Sequence, residues 1–454
     1  MSFEPIVVDM EIEEIPEVVD MELAEEINVT IIQGTDVSDT TAVESDVKTG
    51  KVFYKASGDR AVGTFSESTE APLKDVNFFD YDGTCLYSYT ASEFAELSAL
   101  PDNPSHDGLT AQGWNWALAD AKTYVSTYKQ LIIGQMYTTS DGKTRFYIRL
   151  KKGRTSPVLG IAVNGSVTVD WGDGSSTETI TGSNNTTVIY TPHSYPDRDG
   201  DYVISVDVIS GKFYANGAAN GSYILGRQSA TLLQNRIYLD AIYKVEIGSN
   251  FMFGSYSFVN CFNLETITIP SGISCGISGT FIGCQKLKFI TISTGGYTIS
   301  NLVASCYSLI GMSISKNITT IGGPFNNCYN LLYVTLPTAN EIGQNAFRYC
   351  YSIQSVRIPE TVTSIGKEAF NACYSLASVT VPAAVATIAE SAFQNCYGLG
   401  EIHFKSSTPP TVANSNAWTN IPTDCKIYVP TGKLSAYTGA TNYPDSSTYT
   451  YVEE

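Results

Sequence analysis

Three histidines and ten cysteines are the residues of this 454-residue chain from which acid–base, nucleophilic or metal chemistry would be built. His106, His193 and His403 are scattered, and no nucleophile has an evident base partner. No Cys-x-x-Cys pair or Cys/His cluster has zinc-ligand spacing. The run Asp197-Arg198-Asp199-Gly200-Asp201 could hold calcium, but a solvated turn accounts for it better. These residue types therefore point to no enzyme, no metal site and no cofactor.

The cysteines instead mark a repeat. Cys261, Cys284, Cys306, Cys328, Cys350, Cys373 and Cys396 follow one another at steps of 22 or 23 residues. Three residues before each stands Phe258, Phe281, Val303, Phe325, Phe347, Phe370 or Phe393, and three after comes Leu264, Leu287, Leu309, Leu331, Ile353, Leu376 or Leu399. A fixed period of this length implies a solenoid in which each unit covers the core of the next. Alternation in Ser378-Val379-Thr380-Val381 reads as a strand with one buried face. Pro270, Pro337, Pro359 and Pro382 end such strands, because proline cannot donate to a ladder. Seven cysteines at one solenoid position are expected to be reduced, small, buried side chains rather than disulfide partners. The segment Ser364 to Leu376, with its neighbours from about 246 to 405, resembles the BspA-like leucine-rich repeat family, with departures at Val303 and at Thr294–Tyr297.

The repeat also orders the candidate binding residues. The residue after the cysteine is Tyr307, Tyr329, Tyr351, Tyr374 and Tyr397 in five successive units. Stacking would set them about 5 Å apart in one row, either shielding a loop edge or forming an adhesive stripe. A second candidate is the outward strand face. One of its rows is Thr268, Thr291, Ser313, Thr335, Arg357, Thr380 and His403, and the other holds Tyr333 and Glu401. Its chemistry changes from unit to unit over a constant apolar interior, as a recognition surface would.

The fold class expected is mainly β and multidomain: a small α/β segment, a PKD-like β-sandwich, then the solenoid. Residues 1–34 alternate apolar and acidic side chains and are expected to attach or oligomerise, most simply as a homotrimer. Residues 35–74 are similar to a module of bacteriophage tail and fibre proteins, from Thr40-Thr41-Ala42 to Val62-Gly63-Thr64. Residues 75–145 read as the α/β segment, with helices from Thr90 and over Trp114–Tyr128. Within it, Asp80-Tyr81-Asp82-Gly83-Thr84 is similar to the haloacid dehalogenase opening, which would imply an Asp nucleophile and magnesium. The short segment lacks the long α/β domain that chemistry needs, so a turn is expected. Residues 146–210 resemble a PKD-like sandwich through Val167–Ser175, His193-Ser194-Tyr195 and Gly200–Val206, with Trp171 in the core and His193 structural. Residues 211–245 should be a linker and first cap, 246–405 the repeats, and 406–454 the closing cap that a solenoid end requires.

The net charge of −18 disfavours nucleic acid and anionic membrane surfaces as partners. No stretch of about 20 apolar residues implies membrane insertion, and the start, Met1–Ile6, has no basic and apolar leader pattern. The order of modules implies a bacteriophage tail fibre or tip adhesin in the virion, held by a tail or baseplate protein. Its solenoid would bind a bacterial surface protein or glycan. The alternative is an adhesin on the bacterial cell surface.

Overall fold

The computed structural model describes residues 52–54, 60–62 and 74–454, apart from 129, 216–223, 227–237, 255, 274–278, 294–298, 316–319 and 337. The acidic segment 1–34, most of the 35–74 module and the irregular Thr294–Tyr297 run lie outside the described residues. Within the module, β1 (Val52–Tyr54) and β2 (Arg60–Val62) pair antiparallel.

The α/β segment is a four-stranded sheet. It contains β3 (Val76–Phe79), β4 (Cys85–Tyr89), β5 (Leu109–Trp114) and β6 (Leu131–Thr139), in the order β4-β3-β6-β5. Helix α1 (Ala91–Ala95) begins at Thr90, whose hydroxyl accepts from the Glu93 amide while the Glu93 carboxylate accepts from the Thr90 amide. Helix α2 runs Leu118–Tyr128 rather than from Trp114. Trp114 ends β5 instead, paired with Gln135, and its indole donates to the Pro101 carbonyl. Phe78, Phe94, Trp114, Val125, Leu131 and Ile133 fill the space between helices and sheet. β6 is buried over nearly its whole length, as expected of a strand covered on both faces.

The next strands are β7 (Thr144–Leu150), β8 (Val158–Asp170), β9 (Glu178–Pro192), β10 (Gly200–Ala215), β11 (Leu225–Gly226), β12 (Ile242–Glu246), β13 (Phe251–Phe253) and β14 (Thr266–Thr268). They form one eight-stranded sheet in which β7 pairs antiparallel with β12, and β12 pairs in parallel with β14. One sheet thus carries both antiparallel hairpins and the first parallel pair of the solenoid. Three strands approach closely at Gly182, Gly165 and Gly211, where a Cβ on Gly165 would lie 2.1 Å from the Ser210 carbonyl oxygen. Trp171 is buried and stacks on His193 at 4.4 Å, whose Nε2 lies 2.9 Å from Asp173. His193 is thus held as a packing element.

Among the described residues of the solenoid, short strands from successive turns pair in parallel, six of them in one sheet from Ile299–Ser300 to Thr411–Val412. One ladder carries Ile299, Ile321, Ile342, Ile365, Ile388 and Val412, and these face the core. The phenylalanines form a second column: Phe325, Phe347, Phe370 and Phe393 stack at 5.1–5.2 Å, and Trp418 closes the row 5.3 Å from Phe393. Val303 takes its place in the column fully buried.

All seven column cysteines are buried free thiols. From Cys284 onward each Sγ donates to a carbonyl of the preceding turn at 3.1 Å, as Cys373 does to Phe347. That carbonyl sets the expectation for serine. A hydroxyl buried without a partner would cost about 1–3 kcal/mol, whereas Cys373→Ser meets an acceptor already in place. The substitution should cost about 1 kcal/mol or less in a denaturant titration. A loss near 3 kcal/mol would refute the role of the carbonyl.

Candidate binding surface

The tyrosine row is built by the turn after each cysteine. The rings of Tyr307, Tyr329, Tyr351 and Tyr374 stack face to face at 4.7, 4.9 and 4.7 Å, within 9° of parallel. Tyr397 lies 5.3 Å beyond Tyr374 and tilts by 41°. All five are half-buried. Each interior ring face is covered by its neighbours, so what the row turns outward is ring edge and hydroxyl. Tyr349 meets Tyr351 edge-on, with Arg348 over its ring at 4.5 Å and ion-paired to Glu368. Burial, then the neighbouring phenols of Tyr374 and Tyr329, push Tyr351 up to about 12. Burial likewise raises Tyr329. Tyr329 and Tyr351 therefore hold their phenol protons, and each hydroxyl of the row can both donate and accept.

The outward strand face has a different setting. From Thr268 to Arg357 it is covered by the chain itself. Phe79 stacks on Phe289 at 4.9 Å, with Tyr333 beside it. The Asn115 amide donates to Ser313 and to the Ile292 carbonyl, and its oxygen accepts from the Gly134 amide at 2.9 Å. Ser313 donates to the Ile132 carbonyl, and the Ile132 amide donates to Thr335. Thr268 is fully buried and accepts from Ile247. Arg357 lies over the rings of Tyr124 and Tyr128 in α2.

The physical reason lies in the residues. Four consecutive positions in this row are Thr268, Thr291, Ser313 and Thr335, all small side chains that let a second backbone approach; Thr268, Ser313 and Thr335 hydrogen-bond to backbone groups there, while Thr291 packs against Gly134. Asn115 and Gly134 are the complementary residues that sequence reading passed over. The uniformity of that row was the available signal. Beyond the covered stretch Thr380 is exposed. His403 stacks on Tyr428 at 4.3 Å, between Glu454 at 3.0 Å and Glu401 at 3.4 Å.

The polar clusters elsewhere hold local structure. Asp80 to Thr84 is a turn closed by the Asp80 amide on the Thr84 carbonyl, and Asp82 accepts from the Thr84 amide. The buried Asp80 carboxylate holds His106 at 2.7 Å. In the Asp197–Asp201 turn, Asp197 accepts from the Gly153 amide, Asp199 from the Lys152 amide, and Asp201 pairs with Arg149. Among the described residues no group of side chains is placed to hold a metal ion, and no helix is long and apolar enough to cross a membrane.

Residues 238–341 and 323–423 match the BspA type leucine rich repeat region, in six copies. No curated protein matches the chain. Among solved structures the chain is similar to a leucine-rich repeat protein from Bacteroides ovatus ATCC 8483, at 20% identity and a TM-score of 0.29, over 46% of this chain and 66% of that one. A leucine-rich repeat protein from Eubacterium ventriosum ATCC 27560 is 24% identical, with a TM-score of 0.26, over 32% of this chain and 40% of that one. A leucine rich cell surface protein from Faecalibacterium prausnitzii A2-165 is 17% identical over 45% of this chain and 87% of that one, with a TM-score of 0.19. The chain thus spans less than two thirds of the first two. From Tyr238 through Thr423, then, the polypeptide matches the BspA type leucine-rich repeat region and is built as a β-solenoid.

Proposed function

We propose that the protein is a non-enzymatic adhesin of a bacterial cell surface, and that the solenoid edge bearing the tyrosine ladder is the surface that meets its target. The observation that carries this reading is the division of the solenoid's two candidate surfaces. The strand face from Phe289 to Arg357 is occupied by side chains and backbone of the α/β segment, among them Phe79, Asn115, Tyr128, Ile132 and Gly134, while the tyrosine edge stays half-exposed and repeats its chemistry turn by turn. The BspA type repeats support the surface setting. The PKD-like segment would then serve as a spacer, and self-association through residues 1–34 would give several copies to each attachment.

The test is adsorption of fluorescently labelled protein to a panel of bacterial cells. Tyr329→Ala with Tyr351→Ala should lower adsorption at least tenfold with the fold retained by circular dichroism, while Thr380→Ala on the free strand face leaves it unchanged. Unaltered adsorption by the double variant would rule out the tyrosine edge. A bacteriophage tail component is the second reading, favoured by the run from Thr40 to Thr64. Tail and baseplate genes beside this one would decide for it.

A further inference from the structure

We propose that the ligand of the tyrosine ladder is an uncharged linear glycan lying along the solenoid axis, with about one sugar ring to each rung. The inference rests on the reading of the tyrosine edge as the binding surface and adds the class of ligand.

Three properties of the ladder select this class. The first is what the rings withhold. Sugars and prolines commonly use the open face of an aromatic ring, and proline-rich peptides dock in grooves between aromatic side chains. Here the faces of Tyr329 and Tyr351 are closed by neighbours at 4.7–4.9 Å, and a continuous stack has no groove between its members. Recognition must therefore run through hydroxyls and ring edges.

The second is the interval. A ligand that satisfies successive hydroxyls must repeat in step with them. In an extended peptide, side chains on one face recur every second residue, about 6.6 Å apart. Against rungs 4.7–4.9 Å apart it falls out of step within a few residues. A chain of pyranose rings linked across the ring advances by about one ring width per unit, close to one rung, and offers hydroxyls that both donate and accept.

The third is charge. Tyr307, Tyr329 and Tyr351 and the residues that follow them, Ser308, Asn330 and Ser352, are all uncharged, on a chain whose net charge is −18. An anionic polysaccharide would be repelled by the molecule as a whole, and a cationic one would find no carboxylate among these residues.

The experiment titrates the full chain with uncharged β-1,4-linked oligomers of glucose and of N-acetylglucosamine, two to six sugars long. A parallel titration uses an anionic galacturonate oligomer. Affinity for one neutral series should rise with each added sugar and level off near five, and the anionic oligomer should not bind. A variant carrying Tyr307→Phe, Tyr329→Phe and Tyr351→Phe keeps the stacked rings and loses only hydroxyls. It should keep its melting temperature and lose at least tenfold in affinity. Failure of both neutral series to bind at millimolar concentration, affinity independent of length, or equal binding by the phenylalanine variant would each overturn the proposal. Cell adsorption separates the two levels. If it is lost in the alanine double variant but survives periodate oxidation of the cell glycans, the edge is adhesive and its ligand is not a glycan. If the alanine variant adsorbs normally, the edge itself is excluded.

Discussion

Gly134→Val is expected to lift the α/β segment off the solenoid while leaving both parts folded. A Cβ at this position would lie 2.1 Å from the Thr291 hydroxyl oxygen and 2.9 Å from its Cβ. Threonine is short and branched at Cβ, so it cannot swing aside as a long side chain would. β6 would have to retreat, and retreat breaks the contacts that depend on the same approach. These are the Gly134 amide on Asn115, the Ile132 amide on Thr335 and the Ser313 hydroxyl on the Ile132 carbonyl. Overpacking alone costs about 1–3 kcal/mol, and each buried polar group stranded adds about 1–3 kcal/mol. The total is enough to empty the docked state. Hydrogen exchange should then show new access to Gly311–Ile314 and Tyr333–Val334, with protection in the Phe column unchanged. Wild-type exchange in those strands would show that the docking tolerates the side chain.

Phe347→Ala should have the largest effect on the solenoid itself. Its ring is fully buried between Phe325 at 5.1 Å and Phe370 at 5.2 Å. Truncation opens a void between two stacked rings that the backbone ladders hold apart, so collapse is limited. The cost expected is about 3–5 kcal/mol, read from denaturant midpoints. The Cys373 thiol bonds to the Phe347 backbone carbonyl, which the substitution leaves in place, so the loss reports packing rather than hydrogen bonding. A change below about 1 kcal/mol would mean that the column contributes little beyond filling space.

The two sites differ in how far their sequences announced them. A phenylalanine, a cysteine and a leucine that return at every turn can be assigned to the interior from spacing alone, because a solenoid gives the same environment to the same position. The tyrosine row and its spacing near 5 Å followed from the same logic, and only the 41° tilt of Tyr397 was unreadable. Docking of the α/β segment was not legible. The Asn115–Ser313 contact joins residues 198 apart in the chain, and no local pattern records such a meeting. The junction of β7 with β12 escaped for a similar reason. Strand alternation identifies each as a strand, but not that an antiparallel sheet and a parallel solenoid share them. At the start of α2, Trp114 was claimed by β5 because its pairing with Gln135 and its bond to Pro101 outweigh local helix preference.

The strap formed by β6 and α2 also changes the arithmetic of unfolding. In an unbraced repeat array each unit senses only its two neighbours, and the array can fray from either end. Here β6 touches Thr291, Ser313 and Thr335 and α2 touches Arg357, residues that belong to four successive turns. Those turns cannot open one by one without releasing the strap, so they should melt as a single block. Thr380 and His403 lie past its reach. The protein therefore carries a stiff half and a looser half on one uninterrupted ladder, with the boundary at Arg357, and a pull on its far end would be absorbed by the turns beyond that point first.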